Sequence, residues 1–255
     1  MVTRTSRLTL HNLRYLLLLL PAAGLAGCSS SGSPTYVWHF NVVSSYLPLL
    51  FEGLRLTLIL TLVVVSVGMF LGIFIAAGRM TKFWPVRYLV TGYIELMRGT
   101  PTLVQLVWAY YGLSILLGIE LSGLIAVGIA LTLNVAAFFA EAFRSGIQSI
   151  PKEQFESADV LGLGYLNRMR YVIVPQAFRN VLPVLISLSI SLFKDTSLVS
   201  TVGVADLMYN GRIVATSTYR PLEILTTVAV IYFLIAFPFT LVMRRLEIRL
   251  SHHLT

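Results

Sequence analysis

The side chains able to do chemistry are few and scattered. The histidines are His11, His39, His252 and His253, all near the two ends of the chain. No H-E-x-x-H pair and no G-x-S-x-G turn occurs, so neither a zinc hydrolase nor a serine hydrolase has its parts here. His252-His253 is a solvated tail rather than a metal site. No G-x-x-x-x-G-K-[ST] run occurs either, so nothing can cradle the phosphates of ATP. Catalytic residues, metal ligands and cofactors are therefore not expected. Two ionisable residues do fall inside a long apolar run: Lys194 and Asp195, followed by Thr196 and Ser197. Charge at membrane depth marks a pathway, a gate or a pairing contact. Structural pairing or gating is favoured over direct substrate contact, and a proton relay is the third use. Glu95 with Arg98, and Glu141 with Arg144, are one helical turn apart and read as surface ion pairs. Gln105 and Asn134 are mid-span amides suited to hydrogen bonds between helices.

The elements that carry these residues are long and greasy. The chain has 255 residues, 56% of them hydrophobic and 12% charged, with a mean hydropathy of +0.81. Soluble domains carry about a quarter charged residues. Five apolar segments follow the N-terminal region, at about 54–78, 88–117, 122–143, 177–199 and 221–243, each long enough to cross a ~30 Å core as a helix. The expected fold is all-α, a polytopic membrane bundle with five core spans. The second span is interrupted by Gly99-Thr100-Pro101, which either exposes backbone groups to a pathway or makes a simple kink. Gly68 and Gly72 form a GxxxG for close packing, with a dimer contact as the lesser use.

Charge sets the direction. Arg79, Lys82, Arg87 and Arg98 cluster before and within the second span, and Arg144, Lys152, Arg168, Arg170 and Arg179 fall between the third and fourth. Arg244, Arg245 and Arg249 lie in the tail, while the 118–122 turn has no cation. Cations collect on the cytoplasmic side, so the N-terminus is outside and the C-terminus inside. The net charge of +8 has the same origin, and nucleic-acid binding is not implied.

The N-terminus reads as a targeting segment. Arg4, Arg7 and Arg14 precede an apolar stretch of about 14 residues, short for a span and right for a signal core. It ends in Leu25-Ala26-Gly27-Cys28, then a Ser/Gly tract. Small residues before the chain's one cysteine resemble a bacterial lipobox, with Cys28 lipidated; the alternative is an uncleaved anchor. The organisation is thus 1–27 signal or anchor, 28–45 extracytoplasmic linker, and 46–250 permease-like bundle, with a polar cytoplasmic loop at 144–175.

That loop contains IPKEQFESADVLGLGYLNRMRYVIVP, residues 150–175. Pro151 suits the first turn of a helix, and Glu153 and Glu156 sit near its positive end. Phe155, Ala158 and Leu161 recur every three residues and make an apolar ridge. Gly162 can end the helix in the left-handed conformation, Gly164 permits a second bend, and Tyr165–Val172 can form another short helix that Pro175 ends before the fourth span. A ridge with no lipid to meet suits a groove on a partner; the alternative is packing against the loop's own helix ends.

Glu156-x-Ala158-x-x-x-Gly162, nine residues, then Val172-x-Val174-Pro175 resembles the EAA loop of ATP-binding-cassette (ABC) importer permeases, with Ser157, Val172 and Val174 as departures that keep size. AEAFRSGIQSIPKEQFESADVLGLG (140–164), MRGTPTLVQLVWAYYGL (97–113) and FKDTSLVSTVGVADL (193–207) are similar to motifs of the polar amino-acid branch. The similarity covers about residues 45–250. It implies a permease subunit in the bacterial inner membrane, paired with a second permease (homodimer or heterodimer) and with ABC ATPase subunits. An extracytoplasmic solute-binding protein would deliver the substrate, a polar amino acid. It implies that the loop is a coupling helix, with Glu156, Ala158, Gly162 and Pro175 at the ATPase contact, and Arg98, Gly99, Thr100, Pro101, Glu141, Lys194 and Asp195 in structural or gating roles. Residues 1–44 depart from the family's habit. An ion-coupled secondary transporter of small polar solutes is the alternative.

Overall fold

The structure, a computed structural model, describes residues 36–118 and 121–251. The signal-like segment, His11, Cys28, His252 and His253 lie outside the described residues. Tyr36–Trp38 belong to a first unit and His39 onward to a second. In the first, the Tyr36 and Trp38 rings meet edge-on at 5.5 Å. The second is all-helical among the described residues: α1 Asn41–Met80, α2 Trp84–Gly99, α3 Thr102–Leu117, α4 Gly123–Gln148, α5 Lys152–Val160, α6 Tyr165–Arg168, α7 Val174–Asp195, α8 Leu207–Thr218 and α9 Pro221–Ser251. A π turn (Met169–Ile173) joins α6 to α7, and a 3₁₀ stretch (Thr196–Val202) follows α7.

Among the described residues, four helical stretches are long and apolar enough to cross a membrane: α1, α4, 165–202 and 221–243. Continuous apolar sequence without strict alternation makes helices, because each span must satisfy its own backbone. The second span breaks at Gly99-Thr100-Pro101, where the sequence interrupts it. It begins at Trp84 and divides into α2 and α3, each of 16 residues, or about 24 Å at the helical rise. The cause is Thr100, held extended at φ −113° and ψ 145° by the proline that follows it.

α4 is the central pillar. Its buried face runs through Ala126, Ala130, Val135, Phe139 and Ala142, and small residues let α1 approach closely. A Cβ on Gly72 would lie 2.8 Å from Phe139 Cβ, and one on Gly68 would collide with Val135. The GxxxG is therefore consumed inside the chain, as packing between α1 and α4. α1 is 40 residues long, about 60 Å, so it extends well beyond the predicted 54–78. Its first turns carry Val43, Tyr46 and Leu47 onto Val214, Ala215 and Ile224.

Between the last two spans the chain forms α8. Two further expectations are corrected. Pro175 does not end a helix, since the chain is helical from Tyr165 to Val202. Val174 N–H bonds to Met169 O, five residues back, and this widened turn accommodates a following residue that has a bulky ring and no N–H. Tyr165–Val172 is accordingly the start of that long helix rather than a separate one.

Candidate functional site

One end of the bundle gathers the charges. Glu141 on α4 receives Arg79 from α1 and Arg144 one turn along α4, and Arg98 from α2 approaches to 3.9 Å. Glu95 pairs with Arg79 at 3.4 Å. The predicted Glu141–Arg144 pair forms, but Glu95 and Arg98 do not pair with each other. Each reaches a different helix instead, because α1 and α4 place opposite charges closer than the helix's own next turn. Arg98 also lies over the Phe138 ring at 5.7 Å. Side-chain exposures of 16% for Arg79, 20% for Glu141 and 24% for Arg144 leave this hub mostly out of water, where a shared carboxylate holds three helices together.

The helix break is stapled from the side. Asn134 Nδ2 donates to Gln105 Oε1 at 2.9 Å, and Gln105 Nε2 donates to Met97 O at 2.8 Å and Thr100 Oγ1 at 2.6 Å. Gly99, Thr100 and Pro101 thus lie in a bend whose freed carbonyls are met by amides from α3 and α4. Both amides act between helices, as the sequence suggested.

At the same charged end, α5 projects beyond α4. It stops in a Schellman turn: Leu163 N–H reaches Ala158 O at 3.1 Å and Gly162 N–H reaches Asp159 O at 2.9 Å. Gly162 sits at φ +70°, where a side chain is disfavoured. Gly164 has φ −60° and simply caps α6, so it is not the second sharp bend that was expected. The predicted ridge is also revised. Phe155 packs against the cluster of Ile150, Ile173 and Ala177, and Ala158 is 1% exposed. Phe155 thereby fastens α5 to the ends of α4 and α7. The apolar side chains left outward are Val160 (88%), Leu161 (76%) and Leu166 (79%). Glu156 is exposed. Beneath the loop lies an apolar cavity of about 490 Å³ between α1, α4 and the α6–α7 junction, with Met69, Phe143, Met169 and Phe178 in its wall.

At the opposite end, Lys194 is exposed and Asp195 half-buried at the end of α7. No ion pair joins either to another described residue of this chain, so the pairing expected of them is not made within the subunit. Nearby stands a site that sequence reasoning missed. Asp206 is fully buried and accepts from Tyr209 N–H at 2.8 Å and from the Tyr232 hydroxyl at 3.3 Å. Burial pushes its carboxyl above the ordinary range, against the backbone N–H donors of Tyr209 and Met208 that pull it down. Leu207 N–H donates to Thr57 Oγ1 at 3.1 Å, and Asn210 Nδ2 to Leu49 O at 2.9 Å. Aspartate just before a helical run is an N-cap signal, and that was the clue available. Glu223, likewise missed, is fully buried, with Arg220 at 3.5 Å and the His39 N–H at 3.1 Å.

Comparison with known proteins adds to this geometry. Residues 68–252 match the family described as binding-protein-dependent transport system inner membrane component. The arginine transport system permease protein ArtQ of Bacillus subtilis is 33% identical over 212 residues, 83% of this chain and 97% of that one. The glutamine transport system permease protein GlnP of Escherichia coli is 34% identical, covering 84% of this chain and 98% of its own. A crystal structure of an amino acid ABC transporter with histidines superposes with a TM-score of 0.79 at 37% identity, covering 84% of this chain and 100% of that chain. The MetNI methionine ABC transporter, in inward-facing conformations, shares the fold at a TM-score of 0.63 and 20% identity, over 79% of this chain and 98% of that one.

Proposed function

We infer that this chain, which belongs to the family of binding-protein-dependent transport system inner membrane components, is the permease subunit of an ABC importer of polar amino acids. The observation that carries this is likeness along almost the whole length of amino-acid permeases, joined to a matching fold. The ion-coupled alternative finds no support, since these relatives are permeases of ABC transporters or of amino-acid transport systems. A chain without a phosphate cradle needs its energy delivered by contact.

The α5 turn is the proposed contact. ATP closing two ATPase subunits would draw the paired α5 helices together, with Val160, Leu161 and Leu166 seated in the ATPase groove and Glu156 facing a cation on it. Phe155 passes the movement to Ile173 and Ala177, hence to α7, whose unbroken helix through Pro175 acts as a lever. The Arg98–Glu141 hub and the Gly99–Pro101 bend belong to the gate that tilts with it. In this scheme the charged end is cytoplasmic, the N-terminus is outside, and a solute-binding protein delivers the amino acid at the opposite end. An exposed ammonium on a spanning helix avoids lipid, so Lys194 and Asp195 face a second permease subunit or the path between the two. Residues 1–27 act as a signal or anchor, and Cys28 is the candidate lipidation site.

The test is reconstitution of this chain with its ATPase subunits in liposomes, with candidate binding proteins and labelled polar amino acids. The expected result is uptake that needs both ATP and a binding protein. Uptake driven by an ion gradient, with no ATPase subunit present, would overturn the reading.

A further inference from the structure

We propose that Arg168 is the positioning residue of the α5–α6 bend, fixing the angle between these two short helices so that a push on α5 reaches α7 instead of dissipating in the glycine turn. The inference rests on the coupling role given to α5 above. Arg168 Nη1 donates to Asp159 Oδ1 across the turn. Its guanidinium lies over two rings, Phe155 at 5.9 Å and Tyr165 at 5.7 Å to the centroids. Phe155 and Asp159 are one turn apart on α5, and Tyr165 and Arg168 one turn apart on α6. The four residues therefore form a clasp that bridges Gly162 from both sides.

Three details separate this clasp from an ordinary surface ion pair, which by itself contributes little. Arg168 is 20% exposed while its carboxylate partner is 58% exposed, so the cation is the sheltered member. Arg168 Nε is buried and makes no hydrogen bond. A buried donor left unmade is unfavourable, so the attraction of the two ring faces and the carboxylate must outweigh that cost. Phe155 also belongs to the packing of Ile150, Ile173 and Ala177, so the clasp sits directly on the joint that carries α5 onto α7. The turn beneath it is held by two backbone hydrogen bonds ending at Gly162 and Leu163, and a glycine resists bending least of all residues. Lysine is a poor replacement, because only the flat guanidinium stacks while pairing.

The test uses the full chain assembled with its ATPase subunits in liposomes, comparing Arg168→Met, Asp159→Asn and Arg168→Lys with wild type. The expected result for Arg168→Met is undiminished ATPase binding and continued ATP hydrolysis, with amino acid moved per ATP down by roughly tenfold, the size of shift that losing one ion pair and two ring contacts supports. Asp159→Asn and Arg168→Lys should fall between. Spin labels at Lys152→Cys and Asn167→Cys, with Cys28→Ser, report the angle directly: one narrow distance distribution in wild type and a broad one in Arg168→Met. An unchanged distribution, or unchanged uptake per ATP, overturns the clasp and leaves the coupling role standing. Loss of ATPase binding with the angle still narrow also overturns it, making Arg168 a contact residue. Failure of the wild type itself to bind any ATPase sinks the coupling role instead.

Discussion

Gly162 occupies φ +70° with open space around the position where a Cβ would point. Only backbone strain opposes a side chain there. Gly162→Val should add about 1–2 kcal/mol of local strain, leaving the chain inserted but losing ATPase capture or coupled uptake. Gly162→Asn should retain both, since asparagine enters the left-handed region readily. Co-purification with the ATPase distinguishes the two. Glu141 bears on stability rather than on capture. Glu141→Gln leaves Arg79 and Arg144 facing a neutral amide in a sheltered place, and a loss of about 2 kcal/mol follows from removing one partner of a charged hydrogen bond; thermal unfolding in detergent measures it. Asp206 carries a sign that can be checked. Its folded carboxyl titrates above its unfolded value because burial disfavours the charge. Its contribution is therefore most favourable below the unfolded carboxylate range, and is lost as pH rises through the higher folded value. Asp206→Asn keeps a competent N-cap and removes the buried charge. Its stability at neutral pH should equal or exceed wild type, and its melting temperature should vary less with pH over that interval.

Helices pair here through small residues and amides more than through bulk. Gly72→Ala would bring a methyl within 3.3 Å of the α4 backbone at Ala136 and Ala140, and overpacking of this kind costs about 1–3 kcal/mol. A fall in melting temperature with the fold retained is expected. Gln105→Ala and Asn134→Ala, alone and combined, form a thermodynamic cycle; a coupling near 0.6 kcal/mol is typical for such bonds within a membrane, and strict additivity would mean the staple does not hold the break. The sequence announced these parts unevenly. Gly68 and Gly72 were plain as a packing motif, but only the fold shows that Val135 and Phe139 receive them. The break in the apolar run 88–117 was legible at Thr100-Pro101, but not that the amides of Gln105 and Asn134 staple it. Pro175 looked like a stop because a π turn leaves no mark in the pattern of residue types. Phe155 and Ala158 were visible as one face of α5, yet periodicity cannot say whether a face looks toward a partner or toward the chain's own α4 and α7.

Across the whole molecule, membrane character and family were open to reading from composition and from the Glu156–Gly162–Pro175 spacing, since these depend on residue type and interval alone. The charge hub and the Asp206 network were not, because Arg79 and Glu141 are 62 positions apart and Thr57 and Leu207 are 150 apart. Only the fold brings them together. The stapled break has a consequence for how the protein is made. Neither α2 nor α3 alone is long enough to traverse a bilayer, and the carbonyls freed at their junction find one of their amide partners only in Asn134. A ribosome that has not yet released α4 therefore presents the insertion machinery with two half-helices and an unsealed joint. Nascent chains arrested before residue 134 should leave a cysteine placed near Thr100 open to water-soluble thiol reagents, and chains that include α4 should close it, so the order of synthesis dictates when this part of the wall becomes watertight.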